Sequence, residues 1–476
     1  MNIIRYSSLC LLLTALPSAL CAHQNTEGSH AITLTVPDVD SNDKSSGKSE
    51  GPQMPEATNS SNAEKWSFDD CLKWALANNT DVRRNTIRLL LAQESVGEAK
   101  DAWLPNVGFN TSQSFINYPA KETGRDGNTY TSSYGVDASW TVWEGNIRKY
   151  KLESAKLLEQ QEALAGADTE KEIKLGVLQA YLNIMYAVEA VEIAQQTLEV
   201  SEAQTERALK LMNAGRTSKV DFAQIESQCA QDRYNLVQAQ GNLESAKVNL
   251  KTILQITLDQ DFDIHQIECP DSVVLTQLPP MVDTYNIAAA WLPQIKSNEL
   301  NKDLYANDIK IAKAGYMPQI ALSGGIGTGY TSGGKSWGNQ MGHGFNERIG
   351  VNISVPIYDG NATRRATAKA KIAAEQYEVD RDDLLNSLSQ TIENLYTEAN
   401  NAKAKFIAGL KQLEATSLTS TLVDRQFELG LVNPLELLTA HNNLLTARLE
   451  LLQSKYMAIL SNKTINFYAS QEVNLP

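Results

Sequence analysis

Residues 329–336 have the spacing of a phosphate-binding loop. The segment Gly329-Tyr330-Thr331-Ser332-Gly333-Gly334-Lys335-Ser336 matches the pattern GxxxxGK[ST], in which the amides that open a following helix cradle phosphate. Residues 337–344 contain three glycines and then lead into a strand pattern, so we predict no helix there. We therefore expect a hairpin loop between two strands. A nucleotide hydrolase is the alternative, and it would require that replacing Lys335 abolish activity.

The other residue types that carry catalysis or bind metals are not arranged for either task. The five histidines are scattered, with no HExxH motif and no acidic partner at a useful spacing. Two of the five cysteines lie in the first 22 residues, which leaves Cys71, Cys229 and Cys269 at wide spacing. An odd number at such spacing forms neither a disulfide framework nor a metal site. We therefore predict no catalytic residue, no cofactor, no metal and no enzymatic activity, and expect these cysteines to be small buried residues with at most one pair.

Composition restricts the class of protein. The chain has 476 residues, a net charge of −14 and 42% hydrophobic residues, and this acidic balance disfavours nucleic-acid binding. Residues 1–22 are typical of a signal peptide, and lipidation of Cys21 is a less favoured alternative because the large Leu20 precedes it. Residues 23–65 are polar and are expected to form a flexible leader. Beyond residue 22 we find no run of about 18 apolar residues, so a membrane crossing would have to use strands.

The rest of the sequence contains an internal repeat of two copies. Trp103-Leu104-Pro105 corresponds to Tyr316-Met317-Pro318, 213 positions later. Glu144-Gly145-Asn146 corresponds to Asp359-Gly360-Asn361, and Gly215 to Gly430, both 215 positions later. We expect a first repeat at 66–255, a connector at 256–282, a second repeat at 283–470 and a tail at 471–476.

Each repeat is predicted to run helix, two strands, very long helix and helix. Alternating apolar residues give each strand one apolar face, and the intervening residues are polar or small. The face residues are Val107, Phe109 and Thr111; alternate residues from Tyr130 to Val142; Ile320, Leu322 and Ile326; and alternate residues from Ile349 to Ile357. Strands of this length can cross a bilayer, and Trp140, Trp143, Tyr330 and Tyr358 lie near their ends as an interfacial girdle would. A soluble sheet with one dry face is the alternative.

Residues 146–214 and 361–429 contain no proline, and a glycine follows each segment. Each segment predicts a helix of roughly 100 Å. Two adjacent apolar stripes, one through Leu178 and one through Tyr181, indicate neighbours on two sides, as in a ring of helices. The return helix is too short to cover this rod, so we expect the first and last helices of a repeat to stack end to end beside it.

Four strands cannot close a transmembrane barrel, and lipid does not tolerate an open sheet edge. Several chains must therefore pool their strands. We predict an α+β membrane protein in which a long α-helical barrel, a coiled-coil tunnel, continues into a β-barrel. With four strands from each protomer, a trimer would supply 12 strands and 12 helices around one pore.

Over about residues 66–470 the sequence resembles the TolC family of outer-membrane efflux proteins. The resemblance is carried by the opening Ser67-Phe68-Asp69-Asp70-Cys71-Leu72-Lys73-Trp74-Ala75-Leu76-Ala77-Asn78-Asn79, by the repeated turn motifs above and by their order. It implies a homotrimer in outer-membrane lipid with a tunnel in the periplasm. It also implies a closable tip that meets an inner-membrane pump, of the RND or ABC type, through a periplasmic adaptor protein.

The resemblance also implies roles for residues at the tip. Asp221 and Glu436, six positions after the two turn glycines, match the family's acidic ring, and their spacing also predicts capping boxes with Ser218 and Asn433. The turns that the family uses for adaptor contact correspond to Ala214, Gly215, Arg216 and Thr217 and to Leu429, Gly430, Leu431 and Val432. Packing of Leu431 and Val432 within the tip is the alternative.

The sequence departs from the family at three tip positions. A Tyr, an Arg and an Asp of the family pattern are replaced by Phe427, Val432 and Thr439, so a latch built on those groups is absent or differently constructed. The expected function is an outer-membrane export channel of a tripartite efflux or secretion system, for small molecules or for proteins. A periplasmic coiled-coil scaffold or adaptor without a pore is the alternative.

Overall fold

The structure is a computed structural model that describes residues 65–119, 127–257, 262–267, 269–472 and 475. The signal peptide, Cys21 and the leader up to residue 64 lie outside the described residues. The first repeat comprises α1 (Phe68–Asn78), α2 (Thr80–Asp101), β1 (Asn106–Asn117), β2 (Asn128–Glu144), α3 (Ile147–Asn213) and α4 (Lys219–Leu254). After the short α5 (Asp271–Leu275), the second comprises α6 (Met281–Trp291), α7 (Pro293–Ala314), β3 (Gln319–Thr331), α8 (Trp337–His343), β4 (Asn346–Ser354), α9 (Ala362–Glu428) and α10 (Pro434–Ser470).

The two long helices agree with the sequence prediction to within one residue at each end. Both α3 and α9 contain 67 residues. Each begins after two successive left-handed residues: Gly145 and Asn146 have φ of 66° and 65°, and Gly360 and Asn361 have φ of 67° and 66°. Glycine and asparagine are the residues that adopt this conformation most readily, which explains why the same pair opens both helices.

The shorter helices of each repeat stack end to end beside the long helix of that repeat, as predicted. Asn79, between α1 and α2, donates its side-chain amide to the carbonyl of Ile253 near the end of α4, at 3.0 Å. The Trp74 indole donates to the carbonyl of Leu254 at 3.1 Å. In the second repeat, the Trp291 indole donates to the carbonyl of Tyr468 near the end of α10, at 3.0 Å. These bonds use carbonyls at a helix end, which lack partners within the helix itself.

The middle of α3 corrects one expectation from the sequence. Among the described helices, α3 has an 18-residue window with a mean hydropathy of 1.2, which is apolar enough by composition to span a membrane. We expected no such segment beyond residue 22. The two predicted stripes account for this composition, because Leu178 and Tyr181 are both fully buried in the main core between α3 and its neighbours.

The four strands form one antiparallel sheet in the order β1-β2-β3-β4. Cross-strand partners place Val107, Ala138, Gly324 and Ile349 in one row on the apolar face. Glu347 is the one carboxylate on this face among the described strand residues, at the second position of β4. The outer edges of β1 and β4 pair with no described strand.

Two details of the second hairpin differ from the sequence prediction. The strand pattern continued through Ile357, whereas β4 ends at Ser354, ahead of Pro356. Residues 337–343, predicted as non-helical, form the seven-residue α8. A hydrogen bond joins this helix to β3: the Thr328 hydroxyl donates to the carbonyl of Met341 at 2.7 Å.

Candidate functional site

The candidate site is the tip of the helical region, where α3 turns into α4 and α9 into α10. Both turns have the same backbone hydrogen bonds. The amide of Arg216 donates to the carbonyl of Leu211, and the amide of Leu431 donates to that of Gln426, each at 2.9 Å. Gly215 and Gly430 have φ of 69° and 75°, the left-handed conformation that this helix ending requires.

The predicted contact turns are exposed to different degrees. Ala214, Gly215 and Arg216 are exposed and Thr217 is half-buried. In the second turn, Leu429 and Leu431 expose 64% and 70% of their surface, and Val432 is half-buried against an apolar cluster. Packing within the tip therefore accounts for Val432 and leaves the two leucines uncovered in the protomer.

Both predicted acidic residues take part in helix caps. Asp221 forms a complete capping box with Ser218, whose hydroxyl accepts from the Asp221 amide at 3.0 Å while Asp221 accepts from the Ser218 amide at 3.3 Å. Asn433 caps α10 by accepting from the Glu436 amide at 2.9 Å. The Glu436 carboxylate accepts from the Asn433 side chain and not from its backbone amide, so the second cap is not a full box. Asp221 is half-buried and Glu436 is exposed.

The four helices that meet at the turns share a small apolar cluster, which we call the tip cluster. Its buried members come from each of the four helices: Ala208 from α3, Ile225 from α4, Phe427 from α9 and Leu437 from α10. Phe427 therefore stands in the packed centre of the tip and has no hydroxyl to offer a latch. The Thr439 hydroxyl donates to the carbonyl of Leu435 in its own helix at 2.7 Å.

Polar contacts between the two repeats lie beside this cluster. Arg207 on α3 contacts Glu428 on α9 with Nη1 and Oε1 2.6 Å apart. The other oxygen of Glu428 lies 2.8 Å from Arg425 of its own helix. One turn away, Gln204 donates to Asp424 at 3.4 Å. Sequence analysis did not identify these residues, because their pairing depends on how α3 meets α9.

A buried carboxylate lies farther from the turns. Asp232 on α4 is 1% exposed and accepts hydrogen bonds from Ser201 at 2.7 Å and Gln228 at 3.0 Å. Nε2 of His441 on α10 lies 3.5 Å from the same carboxylate. Burial alone would raise the pKa of Asp232, but the nearby His441 imidazole and the two donors outweigh it and hold this pKa below its usual value.

The phosphate-loop motif does not form a nucleotide cradle. Although α8 follows Ser336, the Gln340 side chain occupies the loop, donating to the carbonyls of Lys335 at 2.6 Å and Thr331 at 2.9 Å and accepting from the Thr331 amide. Among the described residues no group of three or more His, Cys, Asp or Glu side chains could hold a metal ion.

The four-stranded sheet has an exposed apolar face with aromatic side chains near both ends. Large apolar side chains on its apolar face are exposed in the protomer, including Phe109 at 67% and Val351 at 63%. The Trp140 indole, near one end of β2, donates to the carbonyl of Trp103 at 2.9 Å. Tyr130 and Tyr330 lie side by side near the other end, with ring centroids 6.3 Å apart. An apolar face bounded by aromatic side chains is typical of strands that face lipid.

A sheet of this kind joined to two 67-residue helices defines the class of outer-membrane efflux channels. The chain belongs to the outer membrane efflux protein family, whose model matches residues 71–254 and 284–468. The two matched segments follow the two repeats. The protein is therefore an outer-membrane transport channel that extends into the periplasm.

Individual relatives are distant but match over most of their length. The chain is 21% identical to the outer membrane efflux protein BepC of Brucella suis over 82% of each chain. It is 20% identical to the outer membrane protein TolC of Escherichia coli, over 82% of this chain and 79% of that protein. The fold is similar to the crystal structure of the transmembrane channel protein CusC, with a TM-score of 0.68 and 21% identity over 84% of this chain and 91% of the other.

Proposed function

We propose that three copies of this chain form one gated export conduit. The observation that carries the proposal is the four-stranded sheet, which has one apolar face and two edges that pair with no described strand. Pairing β4 of one protomer with β1 of the next would satisfy both edges and close a barrel of 12 strands. The helices would continue this barrel as a tunnel of 12 helices ending at the tip.

The tip acts as the gate. Its helices are held together in each protomer by the tip cluster and by the Arg207–Glu428 contact. Opening separates the α3–α4 pair from the α9–α10 pair. In the closed tip, the Arg207–Glu428 contact serves as the latch, because Phe427, Val432 and Thr439 cannot form one.

Asp221 and Glu436 form an acidic ring around the narrow end of the conduit. Each carboxylate lies six positions after a tip glycine, in the first turn of a helix whose cap holds it in place. Three copies would place six carboxylates near one axis, which favours cations over anions. Capping and the ring role are compatible, because a capping carboxylate keeps its charge.

The exposed turns bind partner proteins of a tripartite system. Leu429 and Leu431 form an apolar surface at the turn between α9 and α10, and such side chains are costly to leave in water. A periplasmic adaptor that connects the channel to an inner-membrane pump is the expected partner. One relative is named an alkaline protease secretion protein, AprF of Pseudomonas aeruginosa. We therefore propose both small molecules and proteins as cargo of this channel.

A charge-neutralisation experiment tests the ring. The double variant Asp221→Asn and Glu436→Gln keeps side-chain size, and in a planar bilayer we expect it to lower single-channel cation preference. Ser218→Ala with Asn433→Ala is the matched control, because it removes cap acceptors and retains both carboxylates. Unchanged conductance and ion preference in the charge variant would remove the ring role.

Extraction of the protein tests the channel itself. We expect the mature chain to require detergent for release from membranes, since three lipid-facing sheets anchor each trimer. Release into water without detergent would contradict the channel and favour the periplasmic scaffold.

A further inference from the structure

The polar face of the sheet is lined mainly by small side chains. The cross-strand register places six glycines on it, namely Gly108, Gly135, Gly325, Gly327, Gly329 and Gly350. Among the described strand residues, three side chains of this face carry a charge. Glu144 is at the last position of β2 and pairs with Arg148 of α3, whereas Asp137 and Arg348 lie within the strands.

Asp137 and Arg348 meet across the strand that separates them. Arg348 on β4 donates Nη2 to Oδ1 of Asp137 on β2, and Asn110 on β1 donates to Oδ2 at 3.1 Å. The register places Gly108, Asp137, Gly325 and Arg348 in one row across the four strands. The two charged side chains therefore span β3 at Gly325.

Gly325 allows this pair to lie flat against the sheet. A Cβ atom at this position would be 2.6 Å from Oδ1 of Asp137 and 3.1 Å from Nε of Arg348. At Gly108, in the same row, an added Cβ would meet nothing within 4 Å. The absence of a side chain at Gly325 thus keeps the pair beside the wall and out of the space in front of it.

The pair is solvated in the protomer, with 39% of the Asp137 side chain and 60% of the Arg348 side chain exposed. Exposed ion pairs contribute little to stability, so bracing the sheet is a weak reason for two charges on a face of glycine and serine. Their field acts instead on whatever passes in front of the face, because side chains at the wall of a narrow aqueous channel bias the ions within it.

We propose that Asp137 and Arg348 are selectivity-determining residues of the barrel lumen, acting as a charge-balanced ring. The proposal rests on the trimeric conduit proposed above, in which the polar face lines the lumen. Three Arg348 guanidinium groups would favour anions, and three Asp137 carboxylates cancel that preference. The barrel then has no ion preference of its own, and the acidic tip determines the cation preference of the channel.

The size of the effect follows from the geometry of a 12-stranded barrel. Three unpaired charges would lie roughly 10 Å from the axis. At 0.1 M salt, where the screening length is about 10 Å, they should change the cation-to-anion permeability ratio about three-fold. The change should fall towards unity at 1 M salt, where screening is stronger.

Single-channel recording in planar bilayers with a KCl gradient tests the proposal. Asp137→Asn leaves three unpaired arginines and should lower the ratio about three-fold, and Arg348→Gln should raise it by a similar factor. The double variant should return to the ratio of the original protein. Gly108→Ala is the matched control, since its Cβ enters open space on the same row and should leave the ratio unchanged.

A second variant tests the geometry with both charges retained. Gly325→Ala should displace the pair from the wall and lower the conductance without reversing ion preference. Channels in which neither single charge variant shifts the ratio, or in which both shift it in the same direction, would overturn the ring. If the original protein formed no channel at all, the proposed conduit would fail and not this inference alone.

Discussion

Removing the Arg207 side chain should open the tip, because this residue makes an ion pair that joins the two repeats beside the tip cluster. Its guanidinium lies 2.6 Å from Glu428, whose other oxygen lies 2.8 Å from Arg425. Arg425 is on the same helix as Glu428, so that contact persists whether the tip is open or closed. Arg207→Ala and Arg425→Ala therefore remove similar charges from one carboxylate but should affect gating differently.

The expected magnitude follows from burial. The Arg207 side chain is 45% exposed and that of Glu428 27%, so solvent screens part of their attraction. A partly exposed pair of this kind contributes about 0.7 kcal/mol. If three such contacts break together when a trimer opens, the loss is about 2 kcal/mol, which raises the ratio of open to closed channels roughly 30-fold.

Single-channel recording at 0.1 M salt measures that ratio as the fraction of time open. We expect Arg207→Ala to increase it strongly, Glu428→Gln to act similarly and Arg425→Ala to leave it near the original value. Raising the salt concentration should reduce the difference between the original protein and Arg207→Ala, because screening already weakens the pair. Equal effects of the two arginine variants, or no effect of Arg207→Ala, would refute the latch.

Three further outcomes test other parts of the structure. Asp232→Ala removes the acceptor of the buried Ser201 hydroxyl and one of two acceptors of the half-buried Gln228 amide. It should lower the free energy of unfolding by about 1–3 kcal/mol in chemical denaturation. Folding lowers the pKa of Asp232, so its contribution to the free energy of unfolding should be complete above the ordinary carboxyl pKa of about 3.9. That contribution should disappear as the pH falls below the folded-state pKa. A difference in the free energy of unfolding between variant and original protein that widens in acid would contradict this. Inserting one alanine midway along α3, with no change in its partners, should impair trimer assembly on native gels, and a normal yield would contradict the stacked helices. Burial raises the pKa of the Cys71 thiol to about 12, so maleimide at pH 8 should label it only after unfolding, and rapid labelling of the native protein would contradict its burial.

Much of the fold could be predicted from the sequence because its signals are local. The absence of proline and the terminal glycines predict α3 and α9, and the alternating residues predict which face of each strand is apolar. Capping by Ser218 and Asn433 follows from their spacing to Asp221 and Glu436. Each of these features depends on residues within one continuous segment of the chain.

The contacts that matter most to the proposals could not be predicted in that way. Arg207 and Glu428 come from different repeats, and so do Asp137 and Arg348, which are 211 positions apart. No local sequence pattern predicts which residues of the two long helices come into contact, or which two strands lie on either side of a third. The helix α8 was missed because its glycines disfavour a helix, whereas contacts of the surrounding hairpin stabilise it.

Imaging of the detergent-purified particle tests the central claim most directly. Electron cryomicroscopy should show three chains around one continuous lumen, with 12 strands at the lipid-embedded end and 12 helices tapering to the tip. A particle of one chain that is stable in water and has no central lumen would contradict the account.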